Sequence, residues 1–280
     1  MAQGGAIIAG QADRYLLGAL LQPQFVGFYS IAQRLEEAMY IGVLKVSEIL
    51  FPFFSTLQLE TDDRKADLLF RSSWILNVLA ASALGGLVPV AGPLLHLWTG
   101  AEVAAEAEQV LVMLSIAGMF GSSSNVFAFY LLAHGRSRSN ALISLVTGVF
   151  TLATSAVALP YFGWQAAGWS ACIGMIAQMV TTVILLRRGF SLVGMWSRVI
   201  HFAMMPLGIG MVTALALRYC VYDVQFDHAP PWYYVGACYL LAATVIFVVA
   251  VAVSRVGPYG DVCWRDLRVI ANRFLQPKAV

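Results

Sequence analysis

The sequence predicts an all-α, polytopic membrane helix bundle with about eight transmembrane helices. Hydrophobic residues make up 60% of the 280-residue chain and charged residues only 11%. A soluble domain averages roughly 45–50% apolar and about 25% charged residues. Eight runs are long and apolar enough to span a membrane, for which about 20 residues are needed. Basic residues are concentrated in alternate connections between these runs, as in multi-pass membrane proteins.

The runs follow one another with short polar connections. None of the connections is long enough to hold a soluble domain. We predict a six-helix transmembrane bundle at residues 1–190, two additional transmembrane helices at 191–254 and a cytoplasmic tail at 255–280. The eight runs are residues 4–22, 26–57, 68–97, 106–133, 140–160, 164–186, 198–219 and 232–254.

The tail carries an apolar stripe at helical spacing. Cys263, Leu267, Ile270 and Phe274 recur at intervals of three or four residues. Such a stripe beside arginines is typical of an amphipathic helix that lies in the membrane interface. We therefore predict an interfacial helix in the tail.

The basic residues predict the orientation of the chain. Of the 17 lysines and arginines, 13 lie in alternate connections or in the tail. Arg218 is the one basic residue in the opposite connections, which carry acidic side chains instead. Because lysine and arginine accumulate in cytoplasmic loops, both termini are predicted to be cytoplasmic.

Charged residues inside the predicted spans are concentrated in the first two runs. A charge at the middle of a bilayer costs at least about 2.5–3.5 kcal/mol, so it faces the bundle interior or a wet cavity. On the second run, six residues fall within a sector of about 80° on a helix, and Glu36 points nearly the opposite way. These six are Ser30, Arg34, Glu37, Ile41, Lys45 and Glu48. The first run adds Asp13 and Arg14.

Three interpretations of this polar stripe stay open. Arg34 with Glu37, and Lys45 with Glu48, have the i,i+3 spacing of ion pairs that neutralise each other. Alternatively, the stripe is the wall of a cavity whose arginines hold an anionic substrate, because the planar guanidinium binds phosphate through two hydrogen bonds. In a third interpretation, Asp13 or Glu37 takes part in a proton relay.

The sequence gives no indication of catalysis, a metal or a cofactor. It contains no phosphate-binding loop of the Walker type, no GxSxG motif and no HExxH motif. The four cysteines form no CxxC pair, and no two histidines have the spacing of metal ligands. A formal net charge of +2 does not suggest a nucleic-acid partner. We therefore predict a protein that is not an enzyme.

Two segments, GQADRYLLGALLQPQFVGFYSIAQR at 10–34 and LFPFFSTL at 50–57, resemble a known family. They are similar to the start of the C-terminal lobe of polysaccharide (O-antigen type) flippases of the multidrug/oligosaccharidyl-lipid/polysaccharide exporter superfamily. Beyond about residue 190 only hydropathy agrees. The matching features are Asp13-Arg14 with Leu-Leu-Gly at 16–18, Val26-Gly27-Phe28-Tyr29, Ala32 with Arg34, and Phe51-Pro52 with Phe54-Ser55.

The resemblance implies a transport function. Such flippases move undecaprenyl-diphosphate-linked oligosaccharides across the bacterial inner membrane by alternating access of two lobes. They serve the biosynthesis of cell-surface polysaccharides such as the O-antigen of lipopolysaccharide. The resemblance implies that the diphosphate and glycan are bound by Arg14, Arg34 and Lys45. It implies that charge tuning or ion coupling falls to Asp13, Glu37 and Glu48.

The resemblance also implies that a partner is missing. The eight runs correspond to helices seven to fourteen of the family, so the N-terminal lobe is absent from this sequence. We expect either a truncated chain or a second chain that supplies the other lobe. A multidrug or small-molecule antiporter of the same superfamily and an inactive membrane remnant or scaffold are the competing functions.

Overall fold

The computed structural model describes Arg14 and residues 16–56, 61–187, 195–221, 230–256 and 259–265. The described residues are almost entirely helical and contain no β-strand. Helix α6 consists of three consecutive segments, which are Met195–Val199, a π-helical turn at Ile200–Met204, and Met205–Val221. The other helices are α1 (Pro23–Thr56), α2 (Asp62–Thr99), α3 (Ala101–Ala133), α4 (Ser137–Phe162), α5 (Ala166–Arg187) and α7 (Trp232–Ser254).

The predicted all-α membrane bundle is confirmed. Within the described residues, helices α2 to α7 are the six that are long and apolar enough to cross a membrane. Helix α1 has 34 residues, or about 51 Å at 1.5 Å per residue, and it carries the charged stripe. Each predicted run from the second to the eighth corresponds to one of these helices. Most of the first run, and the tail after residue 265, lie outside the described residues.

The hairpin of α2 and α3 forms the centre of the bundle. Gly100 alone connects the two helices, and its φ of +94° is a conformation that glycine adopts readily. In the most apolar 18-residue segment of each helix, 72% of the residues of α2 and 78% of those of α3 are buried. In α4 and α7 the buried share of that segment is only 22%. The outer helices therefore have broad apolar faces for lipid.

Two groups of helices pack on opposite sides of this hairpin. Helices α1 and α5 pack on α3, with α4 against α5, whereas α6 and α7 pack on α2. Small residues allow the closest approaches. A Cβ added at Gly210 would lie 2.6 Å from Ala81 Cβ, and one added at Gly168 would lie 2.8 Å from Met113 Cβ. Small interface residues with this role are characteristic of membrane helix packing.

An ion pair ties α3 to α6 near the Gly100 end of the hairpin. Arg218 Nη2 lies 2.9 Å from Glu108 Oε1, and Arg218 Nη1 donates to the Val88 carbonyl oxygen at 3.4 Å. Gly92 leaves room for this carboxylate, because an added Cβ would lie 2.9 Å from it. The pair therefore holds α2, α3 and α6 together.

Short connections make successive helices antiparallel, so the basic connections share the opposite end of the bundle. Arg136 ends the turn between α3 and α4, Arg138 lies in the first turn of α4, and α5 ends at Arg187. Their assignment to the cytoplasm, like the division of the chain at residues 190 and 254, stays a prediction.

Candidate functional site

Helix α1 has a packed face and an open face. The packed face lies mainly against α3 and has the three- and four-residue spacing of one helix side. It consists of Tyr29, Ala32, Glu36, Val43, Ser47 and Phe54, all buried. The predicted polar stripe lies on the other side, where Arg34 and Lys45 are exposed and Glu37 and Glu48 are half-buried.

The two ion pairs allowed by the spacing of the stripe have different outcomes. Lys45 Nζ lies 2.8 Å from Glu48 Oε2, with side chains that are 66% and 42% exposed. Arg34, by contrast, forms no hydrogen bond or ion pair with any residue that the structure describes. Glu37 accepts a hydrogen bond from Gln33 Nε2 at 2.8 Å instead.

A polar chain links the residues before α1 to the stripe. Arg14 Nε donates to Gln33 Oε1 at 3.0 Å, and Gln33 in turn donates to Glu37. The amide of Gln33 therefore joins a cation to a carboxylate that lies one helical turn further on. The structure brings Arg14 and Glu37 into one network, whereas Asp13 lies outside the described residues.

A cleft opens between the first half of α1 and the middle of α3, α4 and α5. Its volume is about 300 Å³. The rest of its wall consists of Tyr29, Leu114, Met175 and four small residues, Ala117, Gly118, Gly148 and Ala171. Its polar side chains are Gln33, Glu36, Ser144, Thr147, Thr151 and Gln178.

Glu36 is the buried acidic group of this cleft. It is 8% exposed and lies against Gly118 of α3, where a Cβ would collide with its carboxylate. It forms no hydrogen bond or ion pair within the described part of the chain. The sequence indicated that Glu36 points away from the stripe and needs another partner. Its neighbour is a glycine that leaves space for it.

Sequence reasoning missed most of the cleft. Thr147 Oγ1 lies 3.5 Å from Gln178 Oε1, and both side chains line the cleft. The sequence signal for the cleft is the pair Thr147 and Thr151, which stand one helical turn apart in an otherwise apolar run. That pair meets the same cleft as Glu36 only because α1 and α5 both pack on α3, with α4 against α5.

The cleft offers oxygen and amide groups in a largely apolar surrounding. A buried carboxylate there can take up a proton or attract a cation. No group of three histidine, cysteine, aspartate or glutamate residues that could hold a metal occurs among the described residues. None of the four cysteines is in a disulfide bond. The carboxyl, amide and hydroxyl groups of the cleft are suited to hydrogen bonding and to exchange of a proton or cation.

The bundle has the fold of a known membrane transporter. It is similar to the solved structure of lipid II flippase MurJ in the inward closed conformation, with a TM-score of 0.71 and 10% sequence identity. The match covers 94% of this chain and 53% of that chain, so this chain spans about half the length of the flippase. No family model and no curated protein matches the sequence. The chain is thus a multi-pass membrane protein with a flippase-like fold.

Proposed function

We propose that this chain is one lobe of a flippase that carries a lipid-linked oligosaccharide across a membrane. One observation carries the proposal: Arg34 is exposed on the open face of α1 and has no partner in the described part of the chain. Arg34 stands about 16 Å along α1 from Pro23 at 1.5 Å per residue. If Pro23 lies at the membrane surface, this distance places Arg34 about halfway through a hydrocarbon layer of about 30 Å.

An unpaired guanidinium at this depth is costly unless an anion or water meets it. A diphosphate is a suitable anion, because its oxygens match the planar guanidinium and can form two hydrogen bonds at once. Arg14 adds a second cation in the network with Gln33 and Glu37. Lys45 lies further along the same open face. A lipid that carries a diphosphate-linked glycan therefore fits this face.

The open face of α1 also suits a second lobe. The flippase that shares this fold is nearly twice as long as the matched region, and alternating access requires two lobes that rock around a substrate. We propose that another chain, or a further part of the same protein, covers the stripe. The finer proposal is an undecaprenyl-diphosphate-linked oligosaccharide for surface polysaccharide, carried in a bacterial inner membrane.

The test replaces Arg34 in the cells that make the protein. We expect Arg34→Ala to lower the transfer of lipid-linked glycan at least about tenfold, since a charge-assisted hydrogen bond contributes about 1.5–3 kcal/mol. Arg34→Lys keeps the charge and should retain part of the activity. The readouts are the amount of surface polysaccharide and the amount of lipid-linked precursor that accumulates in membranes.

Arg138→Ala is the matched control, because this arginine is exposed at the start of α4, away from the stripe. It should leave glycan transfer unchanged. Normal transfer by Arg34→Ala, with normal amounts of protein in the membrane, would remove Arg34 from the mechanism and overturn the proposal.

A small-molecule antiporter is the second candidate, and the cleft around Glu36 favours it. Its volume of about 300 Å³ stands at the lower end of ligand pockets and is too small for an oligosaccharide. Export of a cationic dye that Glu36→Gln abolishes and Arg34→Ala spares would support this candidate. A remnant or scaffold would respond to neither substitution.

A further inference from the structure

A second cavity lies at the basic end of the bundle, away from the α1 stripe. Its volume is about 130 Å³, which is enough for several water molecules or a group of similar size. The first turn of α2, the end of α3, the turn between α3 and α4, and the end of α5 enclose it.

Two cations and one carboxylate line this cavity. Lys65 is 14% exposed, and its Nζ lies 3.6 Å from Asp62 Oδ1. A strong charge-assisted hydrogen bond is shorter, about 2.7–2.9 Å, so the ammonium group keeps hydrogens for another acceptor. Arg136 forms no side-chain hydrogen bond or ion pair with the residues that the structure describes. The cavity therefore has a surplus of positive charge.

His134 adds a buried ring nitrogen without a hydrogen-bond partner. Its Nδ1 lies 2.9 Å from the Tyr130 carbonyl oxygen, which can only accept, so Nδ1 carries a hydrogen. Its Nε2 is buried and has no hydrogen-bond partner. Buried polar atoms without a partner are uncommon, and they can indicate a group that is bound there in the working protein.

We propose that this cavity binds a phosphate group, presented by an anionic phospholipid of the leaflet at this end of the bundle. Lys65 and Arg136 would donate to the phosphate oxygens. Leu131 and Leu186 line the same cavity and provide an apolar wall for the glycerol and the start of the acyl chains. Basic pockets between transmembrane helices bind lipid headgroups in this way. The site is independent of the proposed transport function.

The experiment measures lipid that stays bound to the full chain, purified in detergent, by native mass spectrometry. Phosphatidylglycerol should bind in preference to phosphatidylcholine. Arg136→Gln should lower that preference at least about tenfold, because a charge-assisted contact is lost. Arg136 is exposed, so this variant is expected to fold. Lys65→Gln should act in the same direction, and Asp62→Asn should strengthen binding by removing the one carboxylate of the cavity.

Arg138→Gln is the matched control, since Arg138 lies two positions after Arg136, in the first turn of α4, and does not line the cavity. It should keep the preference for phosphatidylglycerol. Inorganic phosphate, added as a competitor or alone, separates the two sources of the group. If inorganic phosphate stabilises the wild type but does not stabilise Arg136→Gln, the cavity is a phosphate site for a soluble ligand.

Three results would overturn the site. One is equal binding of phosphatidylglycerol and phosphatidylcholine together with no response to inorganic phosphate. The second is an equal loss in Arg136→Gln and Arg138→Gln, which would indicate a diffuse basic surface. The third is an unchanged preference in both Arg136→Gln and Lys65→Gln.

Discussion

Two polar clusters lie midway along the helices on opposite sides of the central hairpin, and they differ in how their polar groups are used. On the α6 side, Asn77 Nδ2 lies 3.1 Å from Ser73 Oγ, 3.3 Å from Ser123 Oγ and 3.1 Å from the Phe202 carbonyl oxygen, and these acceptors share its two hydrogens. On the α1 side, Glu36 faces an open cleft and makes no such bond among the described residues.

The difference shows that a polar residue in a membrane helix has no single meaning. The Asn77 cluster is fully buried, and its hydrogen bonds join α2, α3 and the π-helical turn of α6. The Glu36 cluster keeps free space beside its polar groups. Substitutions in the first cluster should therefore change stability, whereas substitutions in the second should change transport more than stability.

The largest change in the free energy of unfolding is expected at the closest helix contact on the α6 side, where Gly210 of α6 meets Ala81 of α2. Gly210→Leu should lower the free energy of unfolding by about 3 kcal/mol, because its Cβ would meet Ala81 Cβ at 2.6 Å and overpacking costs typically 1–3 kcal/mol. The measurement is unfolding of the purified chain in detergent, followed by tryptophan fluorescence.

Gly208→Leu is the matched control on the same helix, because a Cβ at Gly208 has no atom within 4 Å. It should change the free energy of unfolding by no more than about 0.5 kcal/mol. Equal destabilisation by the two substitutions would mean that glycine flexibility in α6, and not its closeness to α2, limits stability.

The next effect concerns the hydrogen bonds of the packed cluster. Asn77→Leu should lower the free energy of unfolding by about 1–2 kcal/mol, since interhelical hydrogen bonds in membranes reach about 1.7 kcal/mol at most and the substitution removes those of Nδ2. A double-mutant cycle with Ser123→Ala should give a coupling of about 0.6 kcal/mol. A coupling of zero would show that the 3.3 Å contact does not join α2 to α3.

Local sequence patterns predicted the helices and the stripe well. The eighth run, 232–254, coincides with α7 (Trp232–Ser254), because hydropathy and flanking polar residues depend only on neighbouring positions. Helical spacing likewise predicted that Arg34 and Lys45 share a face, and both are exposed on α1. The phosphate-binding roles given to them stay a prediction.

The partners of individual side chains were harder to predict. The spacing allowed Arg34 to pair with Glu37, yet Gln33 takes that carboxylate from one turn away. Glu108 and Arg218 are remote in sequence and meet only because α6 packs beside α2 and α3. The cleft at Glu36 needs residues from four helices. Such contacts follow from tertiary packing, which the period of a single helix does not contain.

The smallest effect compares two neighbouring glutamates of α1 and sharpens the contrast between bonded and open polar groups. Glu36→Gln should raise the free energy of unfolding by up to about 1 kcal/mol, because a buried carboxylate without a partner is replaced by a neutral isostere. Glu37→Gln should lower it by about 0.5–1 kcal/mol, because the hydrogen bond from Gln33 loses its charged acceptor. Both are measured by the same unfolding assay.

Opposite signs at adjacent positions would separate the two roles better than either value alone. If Glu36→Gln instead destabilises the chain as much as Glu37→Gln does, the carboxylate of Glu36 has a stabilising partner and the cleft belongs with the packed cluster. If Glu36→Gln stabilises the chain while it lowers transport, a buried charge is kept at the expense of stability. That combination is expected where an unpartnered carboxylate serves function.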